Sequence, residues 1–313
     1  MKKSLIALAV AGAFAAPAAF AASANVDVYG IMNIAIQDTD VSNVDMEVVD
    51  NVSRVGMKGS EDLGGGLKAV WQIESAIGDG ANGVGTASIG GRNTFVGLAG
   101  GFGTFVVGRH DTPYKLGTGS LDIFGDTIAD YNTGRLAGVQ LLNDTHDHRS
   151  PQAIAYISPT WSGFHFAAAI VAADANGIDS GDTADAFSAT GVYANGPLFA
   201  SLSYQSIELL DSDAWKLGAS YAFGDTTVGF AYENVDQAVD RDSWLLNVKH
   251  AMGPITLKAQ YGQVDVGSAD QDQLAIGADY ALSKRTTAYF VYGAGDNDVT
   301  DASGWNLGVK HSF

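Results

Sequence analysis

The stretch Trp215-Lys216-Leu217-Gly218-Ala219-Ser220-Tyr221-Ala222-Phe223 decides the fold class. Trp215, Leu217, Ala219, Tyr221 and Phe223 are apolar, while Lys216, Gly218 and Ser220 between them are small or charged. A period of two sends alternate side chains to opposite faces, so the stretch reads as a strand with one greasy and one polar side. The pattern recurs downstream. Leu274, Ile276, Ala278, Tyr280 and Leu282 alternate with Ala275, Gly277, Asp279 and Ala281, and Trp305, Leu307, Val309, His311 and Phe313 alternate with Asn306, Gly308, Lys310 and Ser312.

Working outward, the same rhythm predicts sixteen strands, at about 26–37, 52–60, 67–77, 92–99, 104–110, 149–158, 163–173, 186–195, 197–207, 214–224, 226–235, 243–252, 255–264, 273–282, 285–295 and 303–313. Two kinds of connection alternate between them. Short ones such as Asn195-Gly196-Pro197, Gly224-Asp225 and Gly253-Pro254 are hairpin turns. Long acidic ones fall at about 38–50, 78–91, 111–148, 174–185, 208–213, 236–242, 265–272 and 296–302.

Composition removes several classes of function. With 35 acidic against 17 basic residues the chain carries a formal charge of −18, which excludes nucleic acid as a partner. It has no cysteine, and with that go disulfides, thiolate metal sites and a cysteine nucleophile. At the start, Lys2 and Lys3, an apolar stretch from Leu5 to Ala16, and Ala19-Phe20-Ala21 form a secretory signal peptide, expected to be cleaved after Ala21, with a site after Ala24 as the alternative. Residues 1–21 are thus read as signal and 22–313 as one domain. After the signal the longest apolar run, Phe166 to Ala173, is too short for a membrane helix.

A secreted sandwich rarely needs sixteen long strands, and a β-helix needs a fixed short repeat that is absent. A closed antiparallel barrel in an outer membrane turns apolar side chains to lipid and polar ones to the lumen, and it leaves no unpaired edge. At sixteen strands its lumen is wide enough for water. The expected class is therefore all-β, a 16-stranded transmembrane β-barrel with short periplasmic turns and long extracellular loops.

The segment from Ser53 to Ala69, Ser53-Arg54-Val55-Gly56-Met57-Lys58-Gly59-Ser60-Glu61-Asp62-Leu63-Gly64-Gly65-Gly66-Leu67-Lys68-Ala69, resembles the second and third strands of the general trimeric porins, in particular the Gram-negative porin group. The likeness continues in Asp27-Val28-Tyr29-Gly30, Phe95-Val96-Gly97-Leu98, Phe102-Gly103-Thr104-Phe105-Val106-Val107-Gly108-Arg109, Ala155-Tyr156-Ile157-Ser158-Pro159 and the terminal Phe313. The resemblance implies a homotrimer of barrels among outer-membrane lipid and lipopolysaccharide. Each barrel would be a diffusion channel for small hydrophilic solutes and ions, narrowed by its third long loop folded inside. No cofactor is implied.

That loop, Asp111 to His148, is the longest connection and holds Phe124, Ile128, Tyr131, Leu136, Val139, Leu141 and Leu142. Such apolar content suits a loop packed on a wall. The resemblance places wall arginines at Arg54, Arg109 and Arg149, with Arg92 as a companion, facing loop acids among Asp111, Asp122, Asp126 and Asp130. The loop reads Asp122-Ile123-Phe124-Gly125-Asp126, without the Pro-Glu that enteric porins carry before Phe-Gly, so Asp122 and Asp126 both remain candidates for the pore side. Opposed arginines and carboxylates make a transverse field across a narrow aqueous gap. Arg109 shares the phase of Phe105 and Val107, which points it outward unless the strand breaks.

Charge is partitioned in keeping with a channel: strands and short turns hold 12 basic and 7 acidic residues, and the long connections hold most of the acid. Competing readings are weaker. His146 and His148 beside Asp144 and Asp147 lack a completing metal-ligand pattern, and neither a phosphate-loop nor a Gly-x-Ser-x-Gly motif occurs. No catalytic or metal residue is expected, and an outer-membrane hydrolase or an adhesin-like anchor is the alternative to a channel.

Overall fold

The computed structural model describes residues 25–41, 45–77, 89–143, 145–172 and 184–313. The signal-peptide reading of residues 1–21 lies outside them. Seventeen strand segments form one closed antiparallel sheet. They are β1 (Asn25–Thr39), β2 (Glu47–Asp50), β3 (Arg54–Gly64), β4 (Leu67–Ala76), β5 (Thr94–Gly100), β6 (Gly103–Asp111), β7 (Arg149–Ile157), β8 (Phe164–Ala172) and β9 (Ala184–Asn195). The second half comprises β10 (Leu198–Ile207), β11 (Ser212–Phe223), β12 (Thr226–Asp236), β13 (Arg241–Met252), β14 (Ile255–Val266), β15 (Ala269–Ala281), β16 (Thr286–Asp296) and β17 (Asp301–Ser312).

Both β2 and β3 pair with β1, so the two segments make one stave and the barrel has sixteen. The reading of 38–50 as a connection is corrected here, since Glu47–Asp50 is strand. The stave breaks at Asn51 to Ser53, where Val52 has φ 62° and the buried Asn51 and Ser53 turn their polar groups to neighbouring strands. β1 closes the ring against β17, with Ile31 opposite Ser312 and Thr39 opposite Gly304. The last residue completes the seam: Gly30 and Phe313 exchange backbone hydrogen bonds of 3.1 Å in both directions.

Strands in the second half run further at the long-loop end than their apolar alternation does. β15 begins at Ala269 rather than 273 and β13 at Arg241 rather than 243. The reason is physical. Apolar alternation marks only the lipid zone, whereas the hydrogen-bonded ladder continues above it through Asp, Gln and Ser.

Side-chain direction follows the phase of the sequence. Trp215, Leu217, Leu246, Leu257, Leu274, Ile276, Leu307 and Val309 are exposed on the outside, where lipid would lie, while Lys216, Asn247, Gln260, Gln273 and Asn306 are buried on the inside. Outward aromatics gather near both ends of the strands. Trp215 packs on Tyr232 with ring centroids 5.1 Å apart and Trp244 on Tyr261 at 5.7 Å near the long loops, and Tyr221 packs on Phe223 at 4.5 Å near the short turns. Aromatic girdles at the two interfaces mark a membrane barrel. Gly224 (φ 66°) and Gly253 (φ 62°) let the short turns adopt left-handed backbone without a Cβ penalty. Among the described residues no helix is long and apolar enough to cross a membrane, which says nothing of strands.

The buried core lies inside the barrel. Leu121, Tyr131, Val139, Leu141 and Leu142 pack against Val192, Ala231, Leu245 and Val264, and Phe124, Ile128, Ala129 and Leu136 pack against Ala35, Ala275 and Val291. Each group joins residues 111–148 to the inner wall. The longest loop therefore lies in the lumen.

Candidate functional site: the narrowed lumen

Loop 3 enters the barrel through a short helix, α1 (Pro113–Thr118), started by Pro113 and capped by Thr112, whose hydroxyl accepts the Lys115 amide at 3.3 Å. Inner-wall glycines then make room for its apolar side chains. A Cβ on Gly218 would sit 2.9 Å from Leu121, one on Gly277 2.9 Å from Phe124, one on Gly262 2.8 Å from Leu141 and one on Gly293 2.5 Å from Leu136. Wall amides bond the loop backbone. Asn247 Nδ2 donates to Leu121 O at 2.7 Å, Asn33 Nδ2 to Asp126 O at 3.0 Å and Asn297 Nδ2 to Ala137 O at 2.5 Å, while Asn306 Oδ1 accepts Ile128 N–H at 3.0 Å.

Ionic groups lock the descending end of the loop. Lys216 and Asp147, both fully buried, pair at 2.5 Å, and the Lys216 ammonium sits 4.2 Å over the Tyr114 ring. Tyr114 donates to Glu233 Oε1 at 2.8 Å, Glu233 Oε2 accepts the Asn143 amide at 2.6 Å, and Arg241 Nη1 pairs with the same oxygen at 2.9 Å. Arg241 Nη2 also reaches Gln140 O. His146 lies buried against Ser212 at 2.9 Å, and burial, then the neighbouring His148, push its imidazole down to about 4. His146 and Asp147 are thus structural, and among the described residues no metal-binding group of His, Asp or Glu forms. Asp144 lies outside the described residues.

Between loop and wall a cavity of ≈ 540 Å³ remains, lined by Arg92, Lys115, Arg149, Lys258 and Lys310 on one hand and Asp111, Asp122, Asp126, Asp130, Asp147 and Asp279 on the other. Arg54 Nη1 lies 3.0 Å from Asp126 Oδ2, and Lys310 Nζ lies 3.4 Å from the same oxygen. Arg149 Nη2 is 2.9 Å from Asp111 Oδ1, with its Nε on Asn93 at 2.7 Å. Arg92 Nε is 2.5 Å from Glu74 Oε1. Arg109 is not part of the lining; its Nε donates to Gly91 O at 2.8 Å. All four aspartates of the sequence reading reach the cavity, Asp122, Asp126 and Asp130 from the loop and Asp111 from the end of β6, where it is the ladder partner of Arg149 rather than a loop residue; Arg92 and Arg149 reach it too, while Arg54 reaches it through Asp126.

The loop carboxyls differ in their readiness to ionise. Burial opposes the charge of Asp126, yet Arg54 and then Lys310 outweigh it and hold its carboxyl below the usual range. Asp122 has no such cation; burial, followed by the charges of Asp130 and Asp126, pushes it well above that range. Burial raises Asp130 as well, against hydrogen bonds from the Asp126 and Asn132 amides. These aspartates therefore present one fixed anion and two groups that take up protons easily.

The chain matches the Gram-negative porin family over residues 7–300. It belongs to that family. The Gram-negative porin is 38% identical over 175 residues to the major outer membrane protein P.IB of Neisseria gonorrhoeae, covering 52% of this chain and 46% of that protein. It is thus aligned to about half of that relative's length. It is 34% identical over 244 residues to outer membrane porin protein 32 of Delftia acidovorans, covering 72% of this chain and 67% of the relative. Among solved structures the anion-selective porin from Comamonas acidovorans superposes with a TM-score of 0.78 at 24% identity, over 93% of this chain and all of that one. The porin is thus an outer-membrane β-barrel, and its family and fold are not those of an enzyme.

Sequence reasoning missed four of the porin's lumen groups on the wall: Glu74, Lys258, Asp279 and Lys310. Their signal was present for the strand residues. Lys258 follows the outward Leu257 and Lys310 the outward Val309, so both fall on the polar phase. What the phase does not carry is height along the strand relative to a loop from elsewhere in the chain.

Proposed function

We propose that this porin is a water-filled diffusion channel for small hydrophilic solutes and ions, with its constriction set between loop 3 acids and the wall cations Arg54, Arg92 and Arg149. The observation that carries this reading is the cavity inside a closed barrel, lined by five basic and six acidic side chains, with Arg92, Arg149, Lys258 and Lys310 on the wall and Asp122, Asp126, Asp130 and Asp147 on the loop. A solute crossing such a gap orients its dipole and charge in a transverse field, and lumen side chains set which solutes pass. Arg109, bonded to Gly91 O, acts by holding the turn beside Arg92. The acidic groups outside the lumen concentrate cations at the mouth, yet about 8 Å of screening at physiological salt separates that effect from the constriction.

The unit in the membrane is proposed to be a homotrimer surrounded by outer-membrane lipid and lipopolysaccharide, supported by membership of the family. Purified protein in planar bilayers tests the channel: it should insert in discrete conductance steps, three at a time if trimeric. An adhesin-like anchor or a hydrolase would leave the bilayer without steps.

A further inference from the structure

Below loop 3, on the side of the short turns, two lysines meet on the inner wall. Lys249 of β13 and Lys258 of β14 are direct partners in the antiparallel ladder. Directly opposed residues have Cβ atoms about 4.5–5.5 Å apart, and like charges in that relation repel. Both point inward, because their neighbours Val248 and Leu257 are exposed on the lipid side and because Asn247 and Gln260, two residues away, bond loop 3. One carboxylate answers the pair. Asp279 of β15 lies 2.9 Å from Lys258 Nζ, which also sits 4.9 Å from the ring of Phe124 in loop 3. Among the described residues no carboxylate is within ion-pair distance of Lys249, so the group carries one positive charge in excess.

We propose that Lys249 and Lys258 form a binding station for small oxyanions, such as inorganic phosphate, at the periplasmic edge of the constriction. The inference rests on the channel reading and adds a solute class to it. Two ammonium groups on adjacent strands can each donate to a different oxygen of one tetrahedral anion, which relieves the repulsion between them. Lys258 and Lys310 line the cavity at loop 3, and Lys249 extends that cationic wall one strand further. An anion leaving the arginine side therefore meets a second site before open water. A station of this kind raises the local anion concentration and slows its exit, the compromise that conduction through successive sites requires.

The test uses the full-length folded protein and inorganic phosphate. In planar bilayers bathed in chloride, phosphate at neutral pH should reduce single-channel chloride conductance in the parent protein by occupying the station. Lys249→Gln should abolish that block and lower the chloride-to-potassium permeability ratio about two- to fivefold, the effect of one unit charge at about 4 Å in water. Lys258→Arg should keep the block, as should Lys284→Gln, which removes an exposed lysine in the turn between β15 and β16. Isothermal titration of the detergent-folded barrel with phosphate reads the same site without conduction, and its heat should vanish in Lys249→Gln. If Lys249→Gln leaves block and heat unchanged, or Lys284→Gln removes them equally, the station is wrong. Absence of any conductance would overturn the channel reading, while the titration would still decide the lysine pair.

Discussion

Asp126 and Asp122 stand four residues apart in one loop and behave oppositely because one has cations and the other does not. Arg54 and Lys310 hold Asp126 ionised, whereas burial and the charges of Asp130 and Asp126 keep a proton on Asp122 to higher pH. A carboxyl with a raised pKa is neutral at low pH and turns negative as pH rises through that value. Anion preference should therefore fall as pH rises from the ordinary carboxylate range upward. Reversal potentials in a salt gradient between about pH 4 and pH 8 would follow it. The double replacement Asp122→Asn with Asp130→Asn should flatten the profile, and a slope that persists would assign the titration elsewhere.

At the scale of elements, loop 3 is a separate piece of core held to the wall at two ends. Near its tip, Asn33, Asn51, Tyr289 and Asn306 form a buried polar cluster that also takes Arg135 Nη1 on Asn51 at 2.8 Å. At its descending end the Lys216–Asp147 pair is fully buried. Removing one partner of a buried pair strands the other charge and costs roughly 3–5 kcal/mol. Lys216→Met should lower the thermal midpoint and make open-channel current noisier as the loop loses its seat, and Asp147→Asn in the same chain should recover part of both. Equal noise in parent and Lys216→Met would place the anchor elsewhere. The strands were legible in the sequence because alternation is local, and the phase of Lys216 already put it indoors. Its partner was not legible, since Asp147 lies 69 residues away in a loop with no period. Likewise the Asp- and Gln-rich strand ends, such as Asp270 to Gln273, form ladder without an apolar phase to reveal them. At Arg109 phase and resemblance point different ways: phase groups it with the outward Phe105 and Val107, the resemblance places it on the pore wall, and in the structure it is held at Gly91 rather than at the cavity.

The whole molecule depends on closing β1 against β17. Gly30 and Phe313 exchange two backbone hydrogen bonds, and the Phe313 ring lies where a side chain on Gly30 would have to be. Gly30→Val should therefore slow barrel assembly in cells and reduce the yield of folded protein resistant to detergent, as should removal of Phe313. Unchanged assembly in both would show that the seam closes without them. A closed seam also fixes which residues face the lumen, and so it decides where charge can act on a permeating ion. The most direct measurement is the reversal potential of single channels in a salt gradient, for Arg54, Arg92 and Arg149 changed together to Glu and, separately, for the rim acids Asp40 and Asp45 changed to Asn. Arginines stay charged at working pH, and the gap between loop and wall is screened less than the open mouth. The arginine series should shift permeability strongly toward cations while the rim series changes it little. An equal shift from the rim, or none from the arginines, would contradict a constriction formed by loop 3 and that wall.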